Sequence, residues 1–310
     1  MLLQDNGRAA VAVMLSMLVG IVNDTCVKLV ASRLPLGEIM FLRGILALAL
    51  VFAYCMATGA FRHFSGLRHR LVIVRVAAEV GAALLYLPAL FRLPLANATA
   101  ILQSLPLMVT AGAALFLGAP VGWRRWLAIA LGFTGVLIIA RPGLEGFNIW
   151  ALVALAGVAC AALRDLVTRS LPAGISSFGI TVLTLVGICA AGLGLTSVED
   201  WVMPTRRELV LLLAAAVFFN GAFLLMIFAM RTGEIAVVAP FRYSIIVWAI
   251  GLGFVVWGEV PDAFTLLGAA VIVATGIYSF LRERKLARRP DLASGPTRIL
   301  PASGQHQPEA

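Results

Sequence analysis

Ten apolar stretches, each about long enough to cross a bilayer, fill the chain from Ala9 to Leu281 and fall into two groups of five. They read as 9–31, 37–58, 71–91, 95–117, 123–140, 149–170, 176–196, 208–230, 234–257 and 262–281. At about 1.5 Å rise per residue, roughly 20 residues of helix cover a hydrocarbon core of about 30 Å. Backbone groups in lipid find no water, so a segment must satisfy its own hydrogen bonds; the runs lack the alternation of a membrane barrel and therefore read as helices. Five is odd. If a five-helix unit is duplicated, the second copy enters the membrane from the opposite face, and the two halves are inverted about an axis in the membrane plane. Such a scaffold suits alternating access around a solute site near the midplane.

The chain is 61% hydrophobic and 13% charged, which excludes an ordinary soluble domain. Its net charge of +9 would suit nucleic acid, but the positions of the cations argue against that partner. With the amino terminus inside, the inner segments carry fourteen Lys and Arg: Arg8, Arg62, Arg68, Arg70, Arg124, Arg125, Arg169, Arg231, Arg282, Arg284, Lys285, Arg288, Arg289 and Arg298. The outer segments carry five, Arg33, Arg92, Arg141, Arg206 and Arg207. That asymmetry places both termini of a multi-pass membrane protein in the cytoplasm. The first stretch is too long for a signal-peptide core and carries Asn23, Asp24 and Lys28, so it is expected to stay in the mature protein. The expected organisation is a cytoplasmic N-terminus (1–8), a first five-helix repeat (9–140), a second (149–281) and a basic, disordered cytoplasmic tail (282–310). Cys26, Cys55, Cys160 and Cys189 all fall within spans at spacings that suit neither a disulfide framework nor a metal site.

An internal repeat is visible at the junction of the fourth and fifth helices of each half. Gly118-Ala119-Pro120 with Leu127-Ala128 lies 140 residues before Gly258-Glu259-Val260 with Leu267-Gly268. The small residues that follow, Gly132 and Gly135 in one half and Gly268, Ala269, Ala270 and Gly276 in the other, allow close helix approach where lipid gives no hydrophobic drive.

With these features, the chain resembles the drug/metabolite transporter superfamily, specifically the ten-helix EamA-type carriers with two EamA repeats, over residues 9 to 281. The resemblance is carried by Asn23-Asp24 with Lys28, Phe41-Leu42-Arg43, Ala98-Thr99-Ala100 through Leu105-Pro106, Asp165, Ala239-Pro240-Phe241-Arg242-Tyr243, and Gly258-Glu259 with Pro261-Asp262. It is nearer to carriers assigned to riboflavin or S-adenosylmethionine uptake than to the aromatic amino-acid exporters. Many members carry a Glu after the fourth helix; this chain has Ala119 there and keeps Glu259 in the second half.

Ionisable groups inside a membrane helix are costly and persist only with partners, water or a function. Asp24 and Lys28 are four apart on one helical face, and Arg75 and Glu79 repeat the spacing, so each pair is expected either to neutralise itself or to join a coupling network. Lys28 can also snorkel to the outer interface. Arg43 and Arg242 have no acid three or four residues away, so their partners come from another helix, from water or from the solute. Arg164 and Asp165 are adjacent and so are not expected to share a face; Asp165 is read as a surface ion pair or cap, or else a proton-binding carboxylate. Pro240 should break or kink the ninth helix and free carbonyls near Val237 and Ala236, and an interrupted helix marks a transporter site. Arg242, Tyr243, Phe241 and Pro240, with Arg43, Gln103, Tyr86, Trp248 and Asn220, are therefore the substrate-binding or gating candidates, and Pro106 is the first-half counterpart of Pro240. Asp24, Lys28, Arg75, Glu79, Asp165 and Glu259 are the coupling candidates.

A secondary carrier accounts for all of these features. An enzyme would need a chemical constellation that is absent: there is no H-E-x-x-H or G-x-S-x-G, and His63, His69 and His306 lie outside the spans. No cofactor or metal is implied, and a channel or structural subunit would not require the duplication. The membrane-embedded bases outnumber the acids, which suits a neutral, zwitterionic or anionic solute. Riboflavin, its ring stacking on Tyr86, Phe241, Tyr243 and Trp248, is the best expectation for uptake; S-adenosylmethionine uptake and amino-acid or metabolite export are the alternatives.

Overall fold

The computed structural model describes residues 2–58, 69–119, 121–141, 148–172, 175, 177–232 and 238–287, and all of its regular structure is helical. The helices are α1 (Leu2–Val30), α2 (Leu36–Thr58), α3 (Arg70–Arg92), α4 (Leu95–Leu102), α5 (Leu105–Phe116), α6 (Trp123–Ala140), α7 (Ile149–Arg169), α8 (Ser177–Leu195), α9 (Arg206–Thr232), a 3₁₀ segment (Ala239–Tyr243), α10 (Ser244–Trp257) and α11 (Ala263–Ala287). Among the described residues, nine helical stretches are long and apolar enough to cross a membrane, and Gly179–Leu195 is a shorter apolar helix. Leu115, Phe116, Trp123, Phe254 and Val255 lie bare on the outside, as lipid-facing side chains do. The protein is a multi-pass membrane protein.

The ends of two helices differ from the sequence-based boundaries. α1 starts at Leu2 rather than at residue 9, and α11 runs through Ala287, six residues into the expected tail. Helical propensity and intrahelical hydrogen bonds carry both helices beyond their apolar cores.

One passage is broken near its middle, and another opens on 3₁₀ turns. α4 ends at Leu102, Gln103 and Ser104 form a turn, and α5 restarts with Pro106 in its first turn, where the missing N–H costs nothing. The 3₁₀ segment that contains Pro240 runs directly into α10; Val237 and Ala236, where the break was expected to free carbonyls, lie outside the described residues.

Packing pairs the two halves. α1 lies on α9, α3 on α7, α2 on α8 and α6 on α11; α1 also meets α10, α7 meets α4 and α5, and α4 meets α10. Exchanging α1 with α7, α2 with α8, α3 with α9, α4 and α5 with α10, and α6 with α11 returns each of these contacts as another of them or as itself. The helix ends after α5 and α10 repeat the same geometry. Gly118 and Gly258 both adopt positive φ, +64° and +68°, and the N–H of the next residue reaches back six residues, Ala119 to Ala113 and Glu259 to Gly253, each at 3.1 Å. Small residues bring α6 and α11 together: a Cβ on Gly135 would stand 2.8 Å from the Gly268 carbonyl oxygen and one on Gly268 would stand 2.5 Å from that of Gly135.

Candidate functional site

A cavity of about 290 Å³ lies between the halves, walled by α1, α2 and α3 from one and by α7, α8 and α9 from the other. It exists because its wall is built from small residues, Gly44, Ala47, Ala82, Ala83, Ala161 and Ala216 among them. Gly157 is required for a further reason: a Cβ there would come within 2.9 Å of the Tyr86 backbone nitrogen, so α3 and α7 could not approach as they do. Into this apolar space project Asn23, Asp24, Arg43, Glu79, Tyr86 and Arg164.

The expected pairing of charges within single helices is not what forms. Lys28 turns away from Asp24 and bonds Glu259 at 2.8 Å, the Leu93 carbonyl at 2.6 Å and the face of Trp257. It is buried rather than snorkelling. Arg75 bonds the hydroxyls of Thr184 at 2.7 Å and Thr168 at 3.2 Å, while Glu79 takes Arg164 at 3.0 and 3.1 Å. Arg164 also bonds the neighbouring Asp165 at 2.8 Å, because a long guanidinium can fold back along its own helix even though the two Cβ atoms diverge. Tertiary partners win because the inward faces of α3 and α7 are pressed together, and a cross-helix bond desolvates nothing further.

These exchanges leave Asp24 apart. Among the described residues its one hydrogen bond comes from Asn23 Nδ2 at 2.8 Å. Arg43 lies with its guanidinium carbon 5.2 Å from the Phe219 ring centre, and no ion pair within 4.0 Å joins it to Asp24. Asn23 Oδ1 and Tyr86 Oη are buried without a partner among the described residues.

A second cavity of about 410 Å³ adjoins the first and shares Leu102, Ala161 and Arg164 with it. Gln103, Pro106, Pro240, Arg242 and Tyr243 line it, so the α4–α5 break and the 3₁₀ turns before α10 face this space, and Gln103 Nε2 donates to the Arg242 carbonyl at 3.5 Å. The predicted site residues thus divide. Asp24, Arg43, Glu79 and Tyr86 meet in the first cavity; Gln103, Pro240, Arg242 and Tyr243 in the second. Phe241 faces outward at 38% exposure, Trp248 packs on the core, and Asn220 bonds back to Ala216 on its own helix; none of the three lines either cavity. Asn23, Arg164 and Phe219 are cavity residues that sequence reasoning passed over. The placement of Asn23 beside Asp24 was the available signal.

The end of the bundle that carries Lys28 is latched across the halves. Glu259 accepts from Lys28 and, through Oε2, from the Leu95 N–H at 2.7 Å, so a second-half carboxylate caps a first-half helix. Arg33 holds both oxygens of Glu208, at 2.6 and 2.7 Å, within a capping box in which Thr205 N–H donates to Glu208 and Glu208 N–H donates to Thr205. That contact holds the Arg33 guanidinium still more firmly protonated. The Gly37 N–H donates to Glu199 at 2.8 Å, the Val202 N–H to Glu38 at 3.0 Å, and Arg141 pairs with Asp262. The pattern Thr205-x-x-Glu208 was legible in the sequence; its arginine partner, 175 positions away, was not. Among the described residues no group of His, Cys, Asp and Glu could hold a metal ion, and Cys26, Cys160 and Cys189 are free thiols.

The EamA-like transporter family matches this sequence twice, over residues 7–141 and 148–281. Curated relatives include a riboflavin transporter of Rhizobium johnstonii, 29% identical over 78% of this chain and 79% of its own length. A pseudopaline exporter of Pseudomonas aeruginosa is 30% identical over 83% and 90%. An S-adenosylmethionine uptake transporter of Rickettsia conorii is 25% identical over 63% and 66%. A solved crystal structure superposes with a TM-score of 0.59 at 19% identity, covering 87% of this chain and 98% of that one, which bears on the fold alone.

Proposed function

The chain belongs to the EamA-like transporter family, and from that premise we propose that it is a secondary carrier. It moves a small metabolite across the bacterial inner membrane by alternating access between two inverted five-helix repeats, with both termini in the cytoplasm. The observation that carries this reading is a cavity walled by both halves and latched at one end by bonds that cross between them. Three further observations support it: the two family matches, the exchange-symmetric packing, and the identical helix ends at Gly118 and Gly258. With the termini inside, the latched end is the outer one, and this conformation is closed to the outside.

Riboflavin uptake is the finer reading. Relatives named for that activity and the aromatic rings of Tyr86 and Phe219 in the cavity wall support it. A second reading, transport of a solute with a cationic centre, is favoured by one observation: Asp24 faces the cavity with no ion-pair partner among the described residues, which the balance of charges in the sequence had not disclosed. Purified protein reconstituted in lipid vesicles tests the reading. Uptake of labelled riboflavin above protein-free vesicles is expected. Entry of labelled S-adenosylmethionine instead would move the cargo to the second reading, and a steady, voltage-driven ion conductance without solute uptake would replace the carrier by a channel.

A further inference from the structure

Resting on the riboflavin reading, and going beyond it to the atoms of the cargo that are recognised, we propose that Asn23 determines the specificity of the central cavity. Its Oδ1 accepts a ring N–H that stands between two carbonyls, the imide edge of a flat heterocycle. Asn23 lies on α1, lines the cavity and has only 4% of its surface exposed. Its amide is not free to turn. Nδ2 donates to Asp24 Oδ1 at 2.8 Å, and a carboxylate only accepts, so the two ends of the amide cannot be exchanged without losing that bond. The oxygen is thereby left as a fixed acceptor, and it has no donor among the described residues. A buried acceptor without a donor is costly, and a cargo that supplies one N–H recovers that cost on binding. Asp24 acts through Asn23 as a positioning residue.

The other residues of the cavity select the kind of donor. Tyr86 and Phe219 set aromatic rings among small aliphatic side chains, which suits a flat ring rather than a polyhydroxyl chain. Arg43, whose guanidinium carbon lies 5.2 Å from the Phe219 ring centre, adds N–H donors, and Tyr86 Oη, buried without a partner among the described residues, adds a hydroxyl. Glu79 does not compete as an acceptor, since Arg164 holds its two oxygens at 3.0 and 3.1 Å. A fixed neutral acceptor in company with donors is the complement of an N–H flanked by carbonyls. Riboflavin presents that edge at one end of its ring, and its hydroxyl tail can extend into the adjoining cavity, which Gln103 and Arg242 line.

The test measures binding to the purified full-length carrier by equilibrium dialysis. The probes are riboflavin, N3-methylriboflavin, which has no N–H on that edge, and lumiflavin, which keeps the ring and replaces the tail by a methyl group. The carrier is expected to bind riboflavin about tenfold more tightly than its N3-methyl form. Asn23→Leu is expected to remove that preference by weakening riboflavin, and to weaken lumiflavin by the same factor. Asp24→Asn keeps the Asn23 side chain but lets both amides turn, so the preference is expected to shrink, whereas a merely structural role would weaken both flavins equally. Should either variant fail to fold, Asn23→Ala and Asp24→Ser make the same comparison. Equal binding of riboflavin and its N3-methyl form by the wild type, an undiminished preference in a folded variant, a loss that spares lumiflavin, or no binding of riboflavin overturns the proposal. Vesicle uptake is scored separately. Riboflavin that binds with this preference but does not enter sinks the uptake reading and leaves the site, whereas riboflavin that enters while its N3-methyl form binds equally well sinks the site and leaves the uptake reading.

Discussion

At the scale of single residues, the decisive fact is that Lys28, Arg33, Glu79 and Arg141 take ionic partners from the other half of the chain, while Arg164 also keeps Asp165 on its own helix. Lys28 has only 8% of its side chain exposed, and its carboxylate partner also caps α4. Removing one member of a buried pair leaves the other charge desolvated, at a cost of about 3 kcal/mol. Lys28→Met should therefore lower the unfolding temperature clearly. The double variant Lys28→Met with Glu259→Gln should lie nearer the wild type than Lys28→Met alone, because no charge is stranded and the amide oxygen still accepts the Leu95 N–H. Equal losses in the single and double variants, measured by thermal unfolding in detergent, would show that the pair does not act as a unit. The sequence made these residues visible as costly charges in apolar helices. It could not say which charges pair, since a spacing of four is compatible with a local pair but does not compel one when a neighbouring helix offers a better oxygen.

Helices and their breaks were more legible. Apolar runs of about twenty residues marked where the helices lie; Pro106 stands just after the break between α4 and α5 and Pro240 in the 3₁₀ turns that open α10, because a ring without an N–H must sit where no hydrogen bond is needed. The extra turns at the start of α1 and the end of α11 were not legible, since polar helix beyond the apolar core leaves no hydropathy signal. Helix proximity also has a sequence trace in the glycines of α6 and α11. Gly135→Val would drive a branched side chain against the Gly268 carbonyl and Ile272, and overpacking of this kind costs about 1–3 kcal/mol. Gly194→Ala, in α8 with open space around it, should be neutral or slightly stabilising. Unfolding temperatures of the two variants, compared with wild type, check the pair; an equal effect would mean that the α6–α11 approach is not tight.

The whole molecule is a bundle in which each half completes the other, and its proposed orientation rests on the distribution of arginines and lysines. In a background with the native cysteines replaced, a cysteine at Arg284 should be labelled by an impermeant thiol reagent only from the cytoplasmic side and one at Asp200 only from outside; labelling of both from one side would remove the inverted arrangement. What the sequence determined by itself was the membrane class, the passages, the family and the set of expensive polar residues, because transfer free energy is a local property of composition and can be summed along the chain. Which residues share a cavity was decided only by the tertiary structure. Arg164 and Asp24 meet the same space from opposite halves, Phe241 and Trp248 leave it, and Glu259 crosses the molecule to close one end. Those outcomes depend on the rotation of each helix about its own axis, which small residues and cross-half hydrogen bonds set, and no single helix contains that information.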